Sequence, residues 1–127
     1  QVRVETGGWF VEPTLFDGVT PEMRIASEEV FGPVLAVTSF DQPDEAIELA
    51  NNTSYGLAAS VFTSDVRTAH LASRRIKAGT VTVNCYGEGD TTTPFGGYKL
   101  SGFGGRDNGL AAHDQYTELK TTWIDLS

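Results

Sequence analysis

A lone cysteine is the most reactive side chain that the sequence offers. Cys85 is the only thiol in the chain, and a nucleophilic cysteine needs a nearby base or positive dipole to stabilise its thiolate. The spacing pairs Cys85 with neither His70 nor His113, and no second His or Cys stands at metal-ligand spacing from either histidine. We therefore expect Cys85 to be a small buried apolar residue, and we predict no metal site.

Two groups of carboxylates are the other candidates. Glu28 and Glu29 are adjacent, whereas Glu88 and Asp90 flank Gly89. Adjacent side chains of an extended segment point to opposite sides, so Glu28 and Glu29 form no acid–base dyad, although one could face inward and accept two sugar hydroxyls. Glu88 and Asp90 could attract a substrate ammonium group. Residue type alone favours a solvated role for both groups.

A glycine-rich tract, residues 94–105, follows the second group of carboxylates. Glycine concentrates where the backbone turns tightly or approaches another segment closely. The tract lacks the residue order of a Walker A phosphate loop, and it precedes no clear helix as a dinucleotide fingerprint would. Two interpretations remain open, a long surface turn or a packed loop that lines a pocket.

The elements that must position these residues alternate between strands and helices. Strands are predicted at residues 8–16, 33–40, 58–63 and 81–85. Pro13 confines the first to an edge or a bend, and the continuous apolar run of the second is typical of a buried parallel strand. A helix is predicted from Pro43 to residues 50–52, and another after a cap at Ser64 or Asp65. The inward stripe of the second helix consists of Val66, Ala69, Ser73 and Ile76.

This alternation predicts an α/β fold with a parallel βαβαβ sheet, because parallel neighbours need a crossover of about a dozen residues. Residues 110–115 favour a helical turn, and residues 116–126 alternate as a terminal strand does.

Composition limits the class of protein. The chain has 127 residues and a mass of 13.7 kDa, which suits one domain or part of one. Its net charge of -8 repels nucleic acid and anionic membranes, and we expect neither as a partner. We also expect a cytoplasmic location, because a single cysteine forms no internal disulfide and neither a signal peptide nor a membrane span is evident. The start at Gln1 favours a processed chain or an excised fragment.

Four segments in a fixed order carry a family resemblance. They are residues 29–33 (EVFGP), 51–57 (NNTSYGL), 79–85 (GTVTVNC) and 94–99 (PFGGYK), the last followed by Ser101 and Gly102. Together they resemble the C-terminal portion of the NAD(P)-dependent aldehyde dehydrogenases, from about Trp9 onward. Residues 88–90, 116–121 and 123–124 are most similar to the bacterial branch that oxidises gamma-glutamyl-gamma-aminobutyraldehyde and related amino-aldehydes.

The resemblance implies a role for several side chains. Glu29 matches the glutamate that accepts hydrogen bonds from the nicotinamide ribose of NAD or NADP, and Phe31 matches the aromatic residue packed against that end of the cofactor. Phe95 matches an aromatic residue lining the substrate tunnel, and residues 86–90 match the loop at its mouth. Many relatives carry an aromatic residue in place of Gly89, so glycine there would widen the entrance for a bulky polar aldehyde.

The same resemblance implies that Glu88 and Asp90 engage the amino group of the aldehyde substrate. It also places the nucleophilic cysteine, the general-base glutamate and most of the dinucleotide-binding domain upstream. No catalytic residue is therefore assigned to this chain, and Cys85 does not inherit the nucleophile's role. One extra residue near Gly104-Gly105 interrupts the commoner family pattern.

The implied organisation is a partial catalytic domain over residues 1–115 and an oligomerisation strand over residues 116–127, which adds to a neighbouring subunit of a homo-oligomer. We expect the fragment alone to be inactive. Two alternatives remain: a stand-alone association module that uses the terminal strand, and a small hydrolase built on Cys85.

Overall fold

A computed structural model describes residues 3–87 and 89–127. Contacts divide the chain into two compact units, Gln1–Ser54 and Tyr55–Ser127, and each is described by itself. The strands are β1 (Thr14–Phe16), β2 (Val34–Ala36), β3 (Ala58–Val61) and β4 (Thr80–Val83). The α-helices are α1 (Arg24–Ser27), α2 (Pro43–Asn51) and α3 (Val66–Arg75), with short 3-10 helices at Val4–Thr6, Lys99–Ser101 and Leu110–Tyr116.

The first unit is built on a parallel pair of short strands. β1 and β2 pair with Leu15 opposite Leu35, and α1 lies in the connection between them. Helix α2 begins at Pro43, where a missing N–H costs nothing because the first turn has no intrahelical partner. Ile47 on this helix is one of the buried apolar residues, at 4% exposure.

The second unit contains a parallel β3–α3–β4 crossover. The strands pair with Ala59 opposite Val81. Helix α3 begins where the Asp65 carboxylate accepts hydrogen bonds from the amides of Arg67 and Thr68, the latter at 2.8 Å, which satisfies donors that the first turn leaves unpaired. Ala72 on the inner side of the helix is buried. The predicted α/β class with parallel strands and both predicted helices are confirmed.

The single βαβαβ sheet was a wrong prediction. β2 pairs with β1 and β3 pairs with β4 in two separate two-stranded sheets, because an apolar pattern identifies strands without specifying their neighbours. The first predicted strand shrinks to Thr14–Phe16, since Pro13 lacks the N–H that a ladder needs. The second shrinks to Val34–Ala36, and it is not buried, because Leu35 remains 59% exposed.

One further prediction fails at the start of a helix. Val66, assigned to the inward stripe of α3, is 71% exposed because it begins the helix, before the turn that packs on the strands. Residues 117–127 form no strand with any other described part of the chain, and every one of them is exposed. A ladder requires a partner segment, so the strand predicted there remains unpaired. No helix described between residues 3 and 127 has the length and apolar character needed to span a bilayer.

Candidate functional site

The segment after α1 is extended, so the side chains of its two adjacent glutamates, Glu28 and Glu29, point to opposite sides of the backbone. Glu28 has φ -100° and ψ 126°. Glu28 and Val30 line an apolar concavity of the first unit, together with residues of β1, α1 and β2. Glu29 and Phe31 do not belong to that lining, and Phe31 is 97% exposed.

Glu28 is committed to an ion pair. Its two carboxylate oxygens accept hydrogen bonds from Arg24 Nε and Nη2 at 2.9 and 2.7 Å, the four-residue spacing that brings side chains together on one helical face. The Arg24 guanidinium lowers the pKa of Glu28, and the Glu28 carboxylate raises the pKa of Arg24. Among the described residues Glu29 has no such ion-pair partner, and its side chain is exposed.

The predicted substrate residues of the second unit begin in the loop at residues 86–90. Glu88 lies outside the described residues. Gly89 is in the left-handed region at φ 87°, and a Cβ there would lie 2.8 Å from Thr93 Oγ1. The loop therefore requires glycine at this position, and a bulky side chain would be strained.

Asp90 is held by its own turn. Its Oδ1 accepts hydrogen bonds from the amide and the hydroxyl of Thr92, at 2.7 and 2.5 Å. The Thr92 hydroxyl is the main cause of a lowered Asp90 pKa, with the Thr92 amide second. Hydrogen bonds within the turn therefore hold the Asp90 carboxylate in place and favour its ionised form.

Phe95 is anchored by an isolated antiparallel bridge to Asp107. The Phe95 amide donates to the Asp107 carbonyl at 2.7 Å, and the Asp107 amide donates to the Phe95 carbonyl at 2.6 Å. Phe95 is half-buried. The backbone between Asp90 and Phe95 is closed by a further bond, from Gly109 N–H to the Thr91 carbonyl at 2.9 Å. Gly89, Asp90 and Phe95 thus belong to one hydrogen-bonded loop system.

The glycine-rich tract is a packed loop over most of its length. The Tyr98 amide donates to the Gly56 carbonyl at 2.7 Å, and the Gly56 amide donates to Ser101 Oγ at 3.1 Å. A Cβ on Gly79 would collide with the carbonyl of Gly96. Leu100 and Phe103 are nevertheless exposed, at 77% and 105%. The tract is therefore packed through its backbone while part of it lies at the surface, and its role in lining a pocket stays a prediction.

Cys85 does not behave as the sequence predicted. It is exposed because β4 ends at Val83 and the chain has left the sheet by residue 85. Its carbonyl accepts a hydrogen bond from Thr82 Oγ1 at 2.9 Å. Within the part of the chain that the structure describes, no three His, Cys, Asp or Glu side chains form a group able to hold a metal ion.

The structure separates the predicted site residues into two sets. Glu29 and Phe31 lie in the first unit, whereas Gly89, Asp90 and Phe95 lie in the second. Sequence reasoning missed Thr92, although an Asp followed two residues later by a hydrogen-bonding side chain is a turn signal. It also missed Gln115, which hydrogen-bonds the Asp107 side chain at 3.0 Å. No local pattern could have shown that contact.

Comparison with known proteins places this geometry in a family. Residues 2–122 match the aldehyde dehydrogenase family. Aminoacetaldehyde dehydrogenase from Pseudomonas aeruginosa is 68% identical over 120 residues, covering 94% of this chain and 24% of that protein. Indole-3-acetaldehyde dehydrogenase from P. syringae, solved in complex with NAD+ and IAA, aligns with a TM-score of 0.92 at 60% identity, covering 99% of this chain and 25% of that one.

Another solved relative is the gamma-glutamyl-gamma-aminobutyraldehyde dehydrogenase of Burkholderia cenocepacia, with a TM-score of 0.89 and 60% identity over 99% of this chain and 25% of that one. The chain thus spans about a quarter of the length of the relatives that it matches. The match over nearly the whole chain confirms the resemblance seen in its motifs. This chain belongs to the aldehyde dehydrogenase family.

Proposed function

We propose that this chain is one part of a longer enzyme that oxidises an amino-aldehyde to a carboxylate with NAD or NADP. The observation that carries the proposal is the loop system of the second unit, in which Asp90 is held ionised near a glycine and Phe95 is anchored by its bridge. The names of relatives at 60–68% identity, which include amino-aldehyde dehydrogenases, support the same substrate class.

In the first unit, Glu29 and Phe31 are the residues proposed to bind the cofactor. An exposed carboxylate without an ion pair can accept two hydroxyl hydrogen bonds, and Glu29 has this character whereas Glu28 is occupied by Arg24. The exposed ring of Phe31 offers an apolar face to the same end of a nicotinamide nucleotide. These residues fit the cofactor, which when bound would accept the hydride from the substrate.

In the second unit, residues 86–90 and Phe95 are proposed to contact the substrate. Gly89 places no aromatic side chain at the loop, and Asp90 would provide a negative charge for the ammonium group of the aldehyde. Glu88 would add a second charge. Phe95 would form an apolar wall beside the carbon chain. The nucleophilic cysteine and the general base would come from the rest of the enzyme, so the isolated chain should not oxidise aldehydes.

The exposed C-terminal segment, residues 116–127, is the basis for proposals on the domains and assembly of the enzyme. Residues 1–115 would belong to the catalytic domain of a cytoplasmic enzyme, and residues 116–127 would add as a strand to a neighbouring subunit. Leu119, Trp123 and Leu126 are each more than 90% exposed, and an unpaired apolar segment of this kind is suited to pairing with another chain. The same exposure favours the second candidate, an association module, if the chain acts by itself.

The test compares aldehydes in the full-length protein. Reduction of NAD+ or NADP+ is followed by absorbance with aminoacetaldehyde and with an uncharged aldehyde of similar length. The substitution Asp90→Asn removes the charge while keeping an oxygen for the Thr92 bonds, so the loop should survive. We expect kcat/KM for aminoacetaldehyde to fall on the order of fivefold, with the uncharged aldehyde unaffected. No oxidation of either aldehyde by the wild type would refute the proposed function.

A further inference from the structure

The side chain of Gln115 crosses the turn that follows the glycine-rich tract. Its Nε2 donates to the carbonyl of Arg106 at 2.5 Å and to Oδ1 of Asp107 at 3.0 Å. Gly105 makes room for this contact, because a Cβ there would collide with the Gln115 amide oxygen. The amide of Gln115 therefore fixes two successive residues of the turn from a helix that begins several residues later.

The same turn is attached to Phe95 on its other side. Asp107 exchanges both backbone hydrogen bonds of the isolated bridge with Phe95. The residue after Phe95 is packed against the turn as well, since a Cβ on Gly96 would lie 2.8 Å from the Gly105 carbonyl and 2.9 Å from Arg106 Cδ. A displacement of the turn must therefore displace the backbone of Phe95.

An isolated bridge needs such support. One bridge of two hydrogen bonds has no neighbouring ladder to hold it, and small strand pairs are marginal in water without further packing. Each of the bonds contributes little by itself at an exposed position. The Gln115 bond to a carboxylate oxygen is of the stronger, charge-assisted kind, and it acts on Asp107 itself.

We propose that Gln115 is a positioning residue that holds Phe95 through Asp107 and so sets the width of the substrate tunnel beside Phe95. This inference rests on the proposed function, which gives Phe95 its place in the substrate wall. Gln115 touches neither substrate nor cofactor in this proposal. Its effect on the reaction is expected in the binding of the aldehyde and not in the chemical step.

The experiment compares Gln115→Ala with Gln115→Lys in the full-length protein. The lysine ammonium can donate to the Arg106 carbonyl and pair with Asp107, so it should rescue the position. Gln42→Ala is the matched control, because the Gln42 side chain does not cap its helix. Hydrogen exchange at the Phe95 and Asp107 amides measures the stability of the bridge. KM and kcat for aminoacetaldehyde separate an effect on substrate binding from an effect on the chemical step.

We expect exchange at both amides to rise about fivefold in Gln115→Ala, the factor for losing one surface hydrogen bond. KM for the aldehyde should rise by a similar factor, with kcat and the KM for NAD+ within about twofold. Gln115→Lys and Gln42→Ala should both resemble the wild type. Unchanged exchange and KM in Gln115→Ala would overturn the inference, as would a loss of kcat and thermal stability without a change in KM.

The two proposals fail in distinguishable ways. A wild-type protein that oxidises no aldehyde removes the proposed function, and exchange at the Phe95 amide then decides the Gln115 contact by itself. A wild-type protein that is active, with a Gln115→Ala variant identical to it in exchange and kinetics, removes the Gln115 contact and leaves the proposed function standing.

Discussion

The close contact between Gly79 and the glycine-rich tract leads to a specific stability prediction. Gly79 immediately precedes β4, and its amide donates to the Gly56 carbonyl at 3.0 Å. The substitution Gly79→Ala would place a methyl group against the Gly96 carbonyl. Gly96 is itself closely packed, because a Cβ there would lie 2.8 Å from the Gly105 carbonyl and 2.9 Å from Arg106 Cδ. The tract itself must therefore move away from the strands.

The magnitude follows from three opposing contributions. Overpacking a well-packed position costs about 1–3 kcal/mol. Moving the tract also breaks the bond from the Tyr98 amide to the Gly56 carbonyl, at about 1 kcal/mol. Replacing glycine by alanine restricts the unfolded chain and returns about 0.4–1 kcal/mol. The net expectation is a free energy of unfolding lowered by about 2 kcal/mol.

Denaturant unfolding of the full-length protein measures this difference. Gly32→Ala is the matched control, because a Cβ there would meet nothing within 4 Å and its φ is not left-handed. Its free energy of unfolding should stay within about 1 kcal/mol of the wild type. If Gly79→Ala and Gly32→Ala unfold at the same denaturant concentration, the close packing of the tract is refuted.

Three further predictions concern other parts of the chain. The Asp65 pKa is lowered, mainly by the Thr68 hydroxyl. Because of this lowered pKa, the ionised Asp65 carboxylate stabilises α3 fully above pH 3.8, and the stabilisation is lost as pH falls through the folded-state pKa. Circular dichroism at decreasing pH should show this loss of helix stability, and Asp65→Asn should make the stability of the helix less dependent on pH. Cys85→Ser should leave the aldehyde kinetics of the full-length protein unchanged, whereas a strong loss of kcat would show that Cys85 takes part in the reaction. Truncation after Tyr116 should reduce the assembly seen by size-exclusion chromatography, and an unchanged elution volume would exclude a role for residues 117–127.

Local chemistry made several elements predictable from the sequence. Helix α3 follows from the cap at Asp65, whose carboxylate binds backbone amides only two and three residues away. The start of helix α2 follows from Pro43, a residue that suits the first turn of a helix. The opposite orientations of Glu28 and Glu29 follow from the geometry of any extended segment. Each of these features depends on residues that are neighbours in the chain.

Long-range pairing made the rest unpredictable. Nothing in the apolar run at residues 33–40 specifies β1 as its partner, and its burial depends on cover that the described residues of the chain do not provide. The exposure of Cys85 has a similar origin, because it depends on where β4 ends. In the candidate site, the bridge of Phe95 to Asp107 and the contact of Gln115 join segments that no spacing rule connects.

We propose that Glu29 binds the cofactor in the full-length enzyme, and titration of NAD+ is the sharpest test of that role. The dissociation constant is measured for the full-length protein and for two matched variants, Glu29→Gln and Glu28→Gln. We expect Glu29→Gln to weaken NAD+ binding about tenfold or more, as for the loss of a charge-assisted hydrogen bond, and Glu28→Gln to leave it unchanged. Equal dissociation constants for all three proteins would contradict it.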